Sequence, residues 1–474
     1  MKKVYITCII AILIVTLSIS ASTQTPSDWE HPDEMEFADL EVEAREADKY
    51  TLENGLTVYL MEDSSLPLIK GRALIDAGGI YVSEDKVGLA ELTARMLRAG
   101  GTNGIHPDKI DEDIEYLAAS LEFNAQPTQA LASISTLSEH KEDMLNLFND
   151  ILRKPDFLSE RLELEKEKIK ESIRRRDDNP VQLASQEFLK KMATGHPIGW
   201  FPTLESIDSI TRDDIVAFHE NYYQPQNIRL ALSGNFDTEE ILDLLEKTLG
   251  TWEPEDVEYP EIPDFDPEPE PKVYHVQQPI QQSIIFIGHP AITFDSEEFA
   301  PLNFANRVLG AGGDNRLFRE LRSRRGLAYA VGSQLTQSFE YPGFFFTYAI
   351  TGAQNTGQAI ELMIDEIEKI REEPITEEEL RDNREAILNR AVYRYTSAAE
   401  ITFRQAQVDF LNIEPDYYER YIEQIQSLDE DRILTSAKQE FRPDDAIIMV
   451  VGNRASFDRD LEEFGTVEEI QLQF

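Results

Sequence analysis

At 474 residues the chain exceeds one ordinary domain of roughly 150 residues. Its 41% hydrophobic and 28% charged residues exclude wholesale disorder and a membrane bundle. Asp and Glu number 90 against 45 Lys and Arg, a formal charge of −45 that argues against nucleic acid and anionic membranes as partners. The acids are spread along the whole chain, so we read them as a solubilising surface and draw no catalytic role from them.

The first residues, MKKVYITCIIAILIVTLSISAS, place two lysines before an apolar run from Val4 to about Leu17, with small residues at Ser20 and Ala21. Residues 1–21 are expected to be a secretory signal peptide, because the apolar run is shorter than the ~20 residues of a spanning helix. The mature chain is then expected in the periplasm, with no stable membrane insertion. Cys8, the single cysteine, leaves with the signal, which excludes disulfides and a cysteine nucleophile from the mature protein. Residues 22–48 are acidic, lack apolar periodicity, and read as a loose extension.

A first domain is expected over residues 49–252. It opens with the Asn54-Gly55 turn and the strand LTVYLM, then IKGRALIDAGG, a helix near Gly88 to Arg98 and another near Asp108 to Leu121. The strands LEFNA and ALASISTL come next, then long helices from Glu160 to Arg176 and beyond. Residues 253–271 hold six prolines and nine acids without a glycine, the composition of a stiff, exposed linker. The second domain, 272–474, carries the strands SIIFIG, YAVGSQ and FFFTYAI and a helical run from Ala353 to about Glu440.

The two halves repeat. Ile207, Ser209, Pro225, Gly234 and Asn235 fall on Ile425, Ser427, Pro443, Gly452 and Asn453 at a constant offset of 218. Each block reads as a capped helix, a proline break and an apolar strand ending in Gly-Asn. Strands grouped before helices, twice over, predict a duplicated α+β domain.

The phrases YTLENGLTVYLMED, HPIGWFPTLESIDSITRDDIVAFHENYYQPQNIRLALSGNFD and RLFRELRSRRGLAYAV resemble the insulinase/pitrilysin family of zinc peptidases, from roughly Lys49 to Asn453. The resemblance implies two homologous α/β sandwich domains forming half of a peptidase clamshell. In active members a His-x-x-Glu-His helix supplies two metal ligands and a base, and a distant glutamate completes the site. The matching helix here is GLAELTARMLRAGGT, which puts Glu91 and Arg95 at the histidine positions and Ala94 at the base. In EKEKIKESIRRRDDNP, Ser172 stands at the distal ligand position, beside Glu171. The resemblance therefore implies a vacant zinc site, with no cofactor in this chain. Carboxylates at Glu91 and Glu171 are candidates for a rearranged metal site, but Arg95 opposes it with a fixed cation. Glu91 and Arg95, at i and i+4 in the favourable order, are expected to form an ion pair instead.

The segment NRLFRELRSRRGLAYAV resembles the part of the family in which an arginine and a tyrosine seven residues apart hold substrate and the developing oxyanion; these carry over to Arg322 and Tyr329. A guanidinium can grip carbonyls and a phenol can donate to an oxyanion. The bland alternative is a helix-end basic cluster of Arg316, Arg319, Arg322, Arg324 and Arg325, with Tyr329 in a strand core; Arg324 and Arg325 fit it best, next to the terminating Gly326. Gly310, Gly312 and Gly313 are expected to form a tight turn or hinge. The resemblance implies a non-catalytic subunit that pairs with a family member bearing the intact motif and its zinc, and acts on peptides. A structural or peptide-holding protein, and a stand-alone enzyme with rearranged ligands, are the rivals. Co-purification with a motif-bearing protein separates the first from the leading reading, and metal analysis of the isolated chain the second.

Overall fold

A computed structural model of the protein describes residues 45–264, 272–392 and 397–472. The expected signal peptide, nearly all of the acidic extension and the end of the linker, 265–271, lie outside the described residues.

The first half builds a sheet from β1 (Asp48–Thr51), β2 (Thr57–Glu62), β3 (Leu68–Ile75), β4 (Ser120–Ala125), β5 (Ala130–Leu137) and β6 (Ile228–Gly234), in the order β1-β2-β6-β3-β5-β4. The second uses β7 (Lys272–Gln277), β8 (Gln282–Pro290), β9 (Ala328–Leu335), β10 (Phe344–Gly352), β11 (Ile447–Gly452) and β12 (Thr466–Glu469), in the order β12-β7-β11-β8-β10-β9. Five positions superimpose in topology, and in each sheet the second and third strands, β2 with β6 and β7 with β11, are parallel. The repeat expected from the sequence is therefore a repeat of the fold. The outer strand breaks it: β1 is the first strand of its half and runs antiparallel to β2, whereas β12 is the last strand of its half and runs parallel to β7. The expected helix to Leu121 stops at Tyr116, where Ala118 takes a φ of +47° and the chain turns into β4.

Burial along the central strands shows how the halves interlock. On β11, Ile448 and Val450 enter the second domain's main core, while Ile447, Met449 and Val451 point to the other face. That other face is covered by a helix from the first half. Of the helices α1 (Leu89–Ala99), α2 (Ser159–Arg175) and α3 (Pro180–Met192), it is α3 that lays Leu183, Phe188 and Met192 on the second sheet. Pro180 starts this helix, its missing N–H costing nothing at the first position, and the Asn179 side chain accepts from Val181 and Gln182. The exchange is reciprocal. A helix of the second half, α4 (Ala398–Phe410), sets Ala398, Ile401 and Ala406 against Tyr59, Met61 and Ala231 of the first sheet. Asp409 of α4 is paired with Lys49 and Arg229 at 2.8 and 2.7 Å. The start of the linker is not free: Gln224 and Gln226 bond the backbone of Glu255, and Tyr259 packs its ring 4.9 Å from Tyr81.

Two buried imidazoles couple this fold to pH. Burial lowers the pKa of His219 to about 4, against the opposing hydrogen bond its Nε2 donates to the Leu152 carbonyl. His289 is likewise lowered to about 4 by burial, and its Nε2 accepts from the Arg442 amide. Unfolded histidine titrates near 6.5, so below that pH the unfolded chain binds more protons. Their contribution to stability is complete above about pH 6.5 and is lost as pH falls towards 4. Relief of acidic self-repulsion acts in the opposite sense, so the comparison is with a variant. Thermal midpoints of His219→Phe, recorded from pH 7.5 to 4.5, should fall less steeply than those of the natural protein.

Candidate functional site

The helix α1 buries Leu92, Ala94, Met96 and Leu97 in the first core and leaves Glu91 and Arg95 on its other side. Gly88 caps its start with a φ of +107°, and a Cβ there would meet Ile207 at 2.5 Å. The guanidinium of Arg95 donates to one oxygen of Glu91 through Nε and Nη2, at 3.0 and 2.8 Å. Its Nη1 lies 3.6 Å from Glu165 on α2. Glu165 is only 5% exposed, and its second oxygen accepts from Lys168 at 2.6 Å. Ser172, two helical turns beyond Glu165, joins Glu91 and Arg95 around a small cavity of about 140 Å³, closed by Arg176, Gln182, Gln186 and Phe201.

Three of the four positions marked in the sequence thus converge on one cavity. Ala94 does not line it and points into the core. Glu171 turns the other way, to ion pairs with Arg174 and Arg175. Glu165 was not marked; its position seven residues before Ser172, on the same helical face, was the available signal.

These residues do not fit a zinc ion. The metal needs three or four neutral or anionic donors, whereas here a guanidinium stands among them, Ser172 offers a hydroxyl and Glu91 is engaged by Arg95. Among the described residues no group of three or more His, Cys, Asp or Glu is placed to hold a metal ion. A larger groove, about 570 Å³, shares Arg95 with this cavity and runs past Glu165 to the edge of the first sheet, where β4 supplies Ser120 to Asn124. Nothing in the sequence pointed to it.

Arg322 and Tyr329 come together elsewhere. Arg316 and Arg319 both bind Glu379 at 2.7 to 3.0 Å. Burial opposes ionisation of Glu379, but these arginines hold its carboxyl down to about 2. Arg324 and Arg325 bind Glu320 at 3.1 and 2.7 Å. Arg322 has no carboxylate partner among the described residues; it lies over the rings of Phe318 and Tyr329, 5.1 and 5.9 Å from their centres. Tyr329 is 74% exposed at the start of β9, the edge of its sheet, and not in a strand core. Neither residue lines the cavity or groove of the first half. The segment Phe318–Arg324 is π-helical and ends at Gly326, with φ +63°. Gly310 serves packing: it lies within a helical turn, and a Cβ would strike the Ser333 amide nitrogen of β9 at 2.4 Å.

Two family models match, the insulinase domain of peptidase family M16 over residues 69–199 and the peptidase M16 inactive domain over residues 209–387. An uncharacterized zinc protease of Bacillus subtilis is 22% identical over 85% of this chain and 97% of its own length. A Helicobacter pylori protein called a non-peptidase homolog is 21% identical over 84% of this chain and 92% of its own. The crystal structure of a peptidase M16 inactive domain from Pseudomonas fluorescens superimposes with a TM-score of 0.78 at 25% identity, covering 86% of this chain and 98% of that one. The periplasmic protease PqqL of Escherichia coli has a TM-score of 0.72 at 13% identity, and 93% of this chain covers 50% of it. With both halves matched and the doubled sheet topology in place, this chain belongs to the insulinase family of M16 peptidases, as a half-clamshell member.

Proposed function

We propose that this protein is the non-catalytic subunit of a heteromeric M16 peptidase, lending Arg322 and Tyr329 to substrate held at the zinc site of a partner subunit with an intact His-x-x-Glu-His motif. The observation that carries this reading is the selective freedom of Arg322. Four arginines around it are tied to Glu379 or Glu320, while Arg322 is left stacked beside an exposed phenol. An exposed phenol on the sheet edge and a guanidinium on the helical segment before it are suited to donate to an oxyanion and to carbonyls supplied from outside the chain. The proposed place is the periplasm and the proposed substrate a peptide. Capture of the tagged mature chain from its native host should bring down a motif-bearing M16 protein, with hydrolysis in the complex. A chain recovered alone, and inactive when mixed with such a protein, overturns this reading.

The groove beside β4 favours a second reading, a peptide-holding protein. An extended peptide can add to a free sheet edge through its backbone. Peptide binding by the chain alone, with no partner recovered, selects it.

A further inference from the structure

Between α1 and α2 the described side chains place a guanidinium. Arg95 stands between Glu91 of its own helix and Glu165 of the neighbouring one, at 2.8 and 3.6 Å. The contact with Glu91 alone is an ordinary exposed i, i+4 pair, which stabilises little. Glu165 changes the balance, because its side chain is withdrawn from water. Withdrawing a carboxylate from water costs free energy that neighbouring cations offset, and those in contact are Lys168 and Arg95. Lys168 extends from α2 itself and is more than half exposed, so it ties Glu165 to nothing outside its own helix. Arg95 joins the two helices.

We propose that the Arg95 guanidinium clamps α1 to α2 through Glu91 and Glu165 and fixes the shape of the cavity that Glu91, Arg95 and Ser172 line. The planar fork suits this: Nε and Nη2 face one carboxylate while Nη1 faces the other, a division that a single ammonium cannot reproduce. The clamp needs no ion from solution. It concerns the first half alone and stands whether or not Arg322 and Tyr329 serve a partner.

The test is a double-mutant cycle in the full mature chain, read by thermal midpoint with and without a chelator. Arg95→Met and Glu165→Gln should each lower the midpoint by about 2 to 4 °C, and the double variant by little more than the worse single one, since both remove one interaction. Arg95→Lys should recover less than half of the loss. Arg175→Met, which breaks an exposed pair with Glu171 on α2, should shift it by less than about 1 °C. The chelator should leave the natural protein unchanged. Additive single losses, an Arg95→Lys midpoint equal to the natural one, or a midpoint lowered by the chelator would each overturn the clamp.

Discussion

Tyr329→Phe should leave the proposed complex assembled and slow its peptide hydrolysis about 10²- to 10³-fold, equivalent to roughly 2.7 to 4 kcal/mol. The ring stays, so the stacking beside Arg322 and the start of β9 are undisturbed, and only the donor to the developing oxyanion is lost. Arg322→Ala should weaken substrate capture as well. Arg324→Ala, whose guanidinium is already bound to Glu320, should change turnover little. Size-exclusion chromatography of each variant complex separates lost chemistry from lost assembly. Full turnover by an assembled Tyr329→Phe complex would reduce this subunit to scaffold.

The second large effect belongs to the exchanged helix. Phe188 leaves the first half and packs its ring 5.4 Å from Phe286 and 5.7 Å from Phe346 on the second sheet. Phe188→Ala should cost about 3 to 5 kcal/mol, as for other large aromatic truncations in a core. Because this helix is covalently part of one half and packed on the other, both halves should lose stability together. Chemical denaturation followed by fluorescence and by circular dichroism should show one transition, moved to lower denaturant. Two separated transitions, with that of the first half unmoved, would show that the halves fold independently.

The duplication was legible because it is local. The blocks ending in Gly234 and Gly452 each hold a helix, a proline break and a buried central strand within about thirty residues, so their matching residues survive at one offset. β12 was not legible, since Thr466–Glu469 is mostly exposed and acidic and lacks the alternation that marks a half-buried strand. The helix exchange was hidden for another reason. The apolar stripe of α3 says that a face is buried and not which sheet buries it, and α4 follows the same rule.

The convergence of Glu91, Arg95 and Ser172 could be anticipated from the spacing of the family motif. The seven-residue spacing puts Glu165 on the same helical face as Ser172, but its burial depends on how two helices cross and was not legible. Tyr329 was open to reading as a core residue, as strand tyrosines often are; its place on an outer strand, set by pairings across the sheet, leaves it exposed.

Zinc content and peptidase activity of the isolated mature chain, purified without chelator and assayed before and after chelation, decide whether it is a metalloenzyme on its own. With a guanidinium and a hydroxyl lining the cavity and no group of metal-holding side chains among the described residues, zinc should stay far below one ion per chain and hydrolysis should be absent. About one tightly held zinc per chain, with hydrolysis abolished by the chelator, would contradict this.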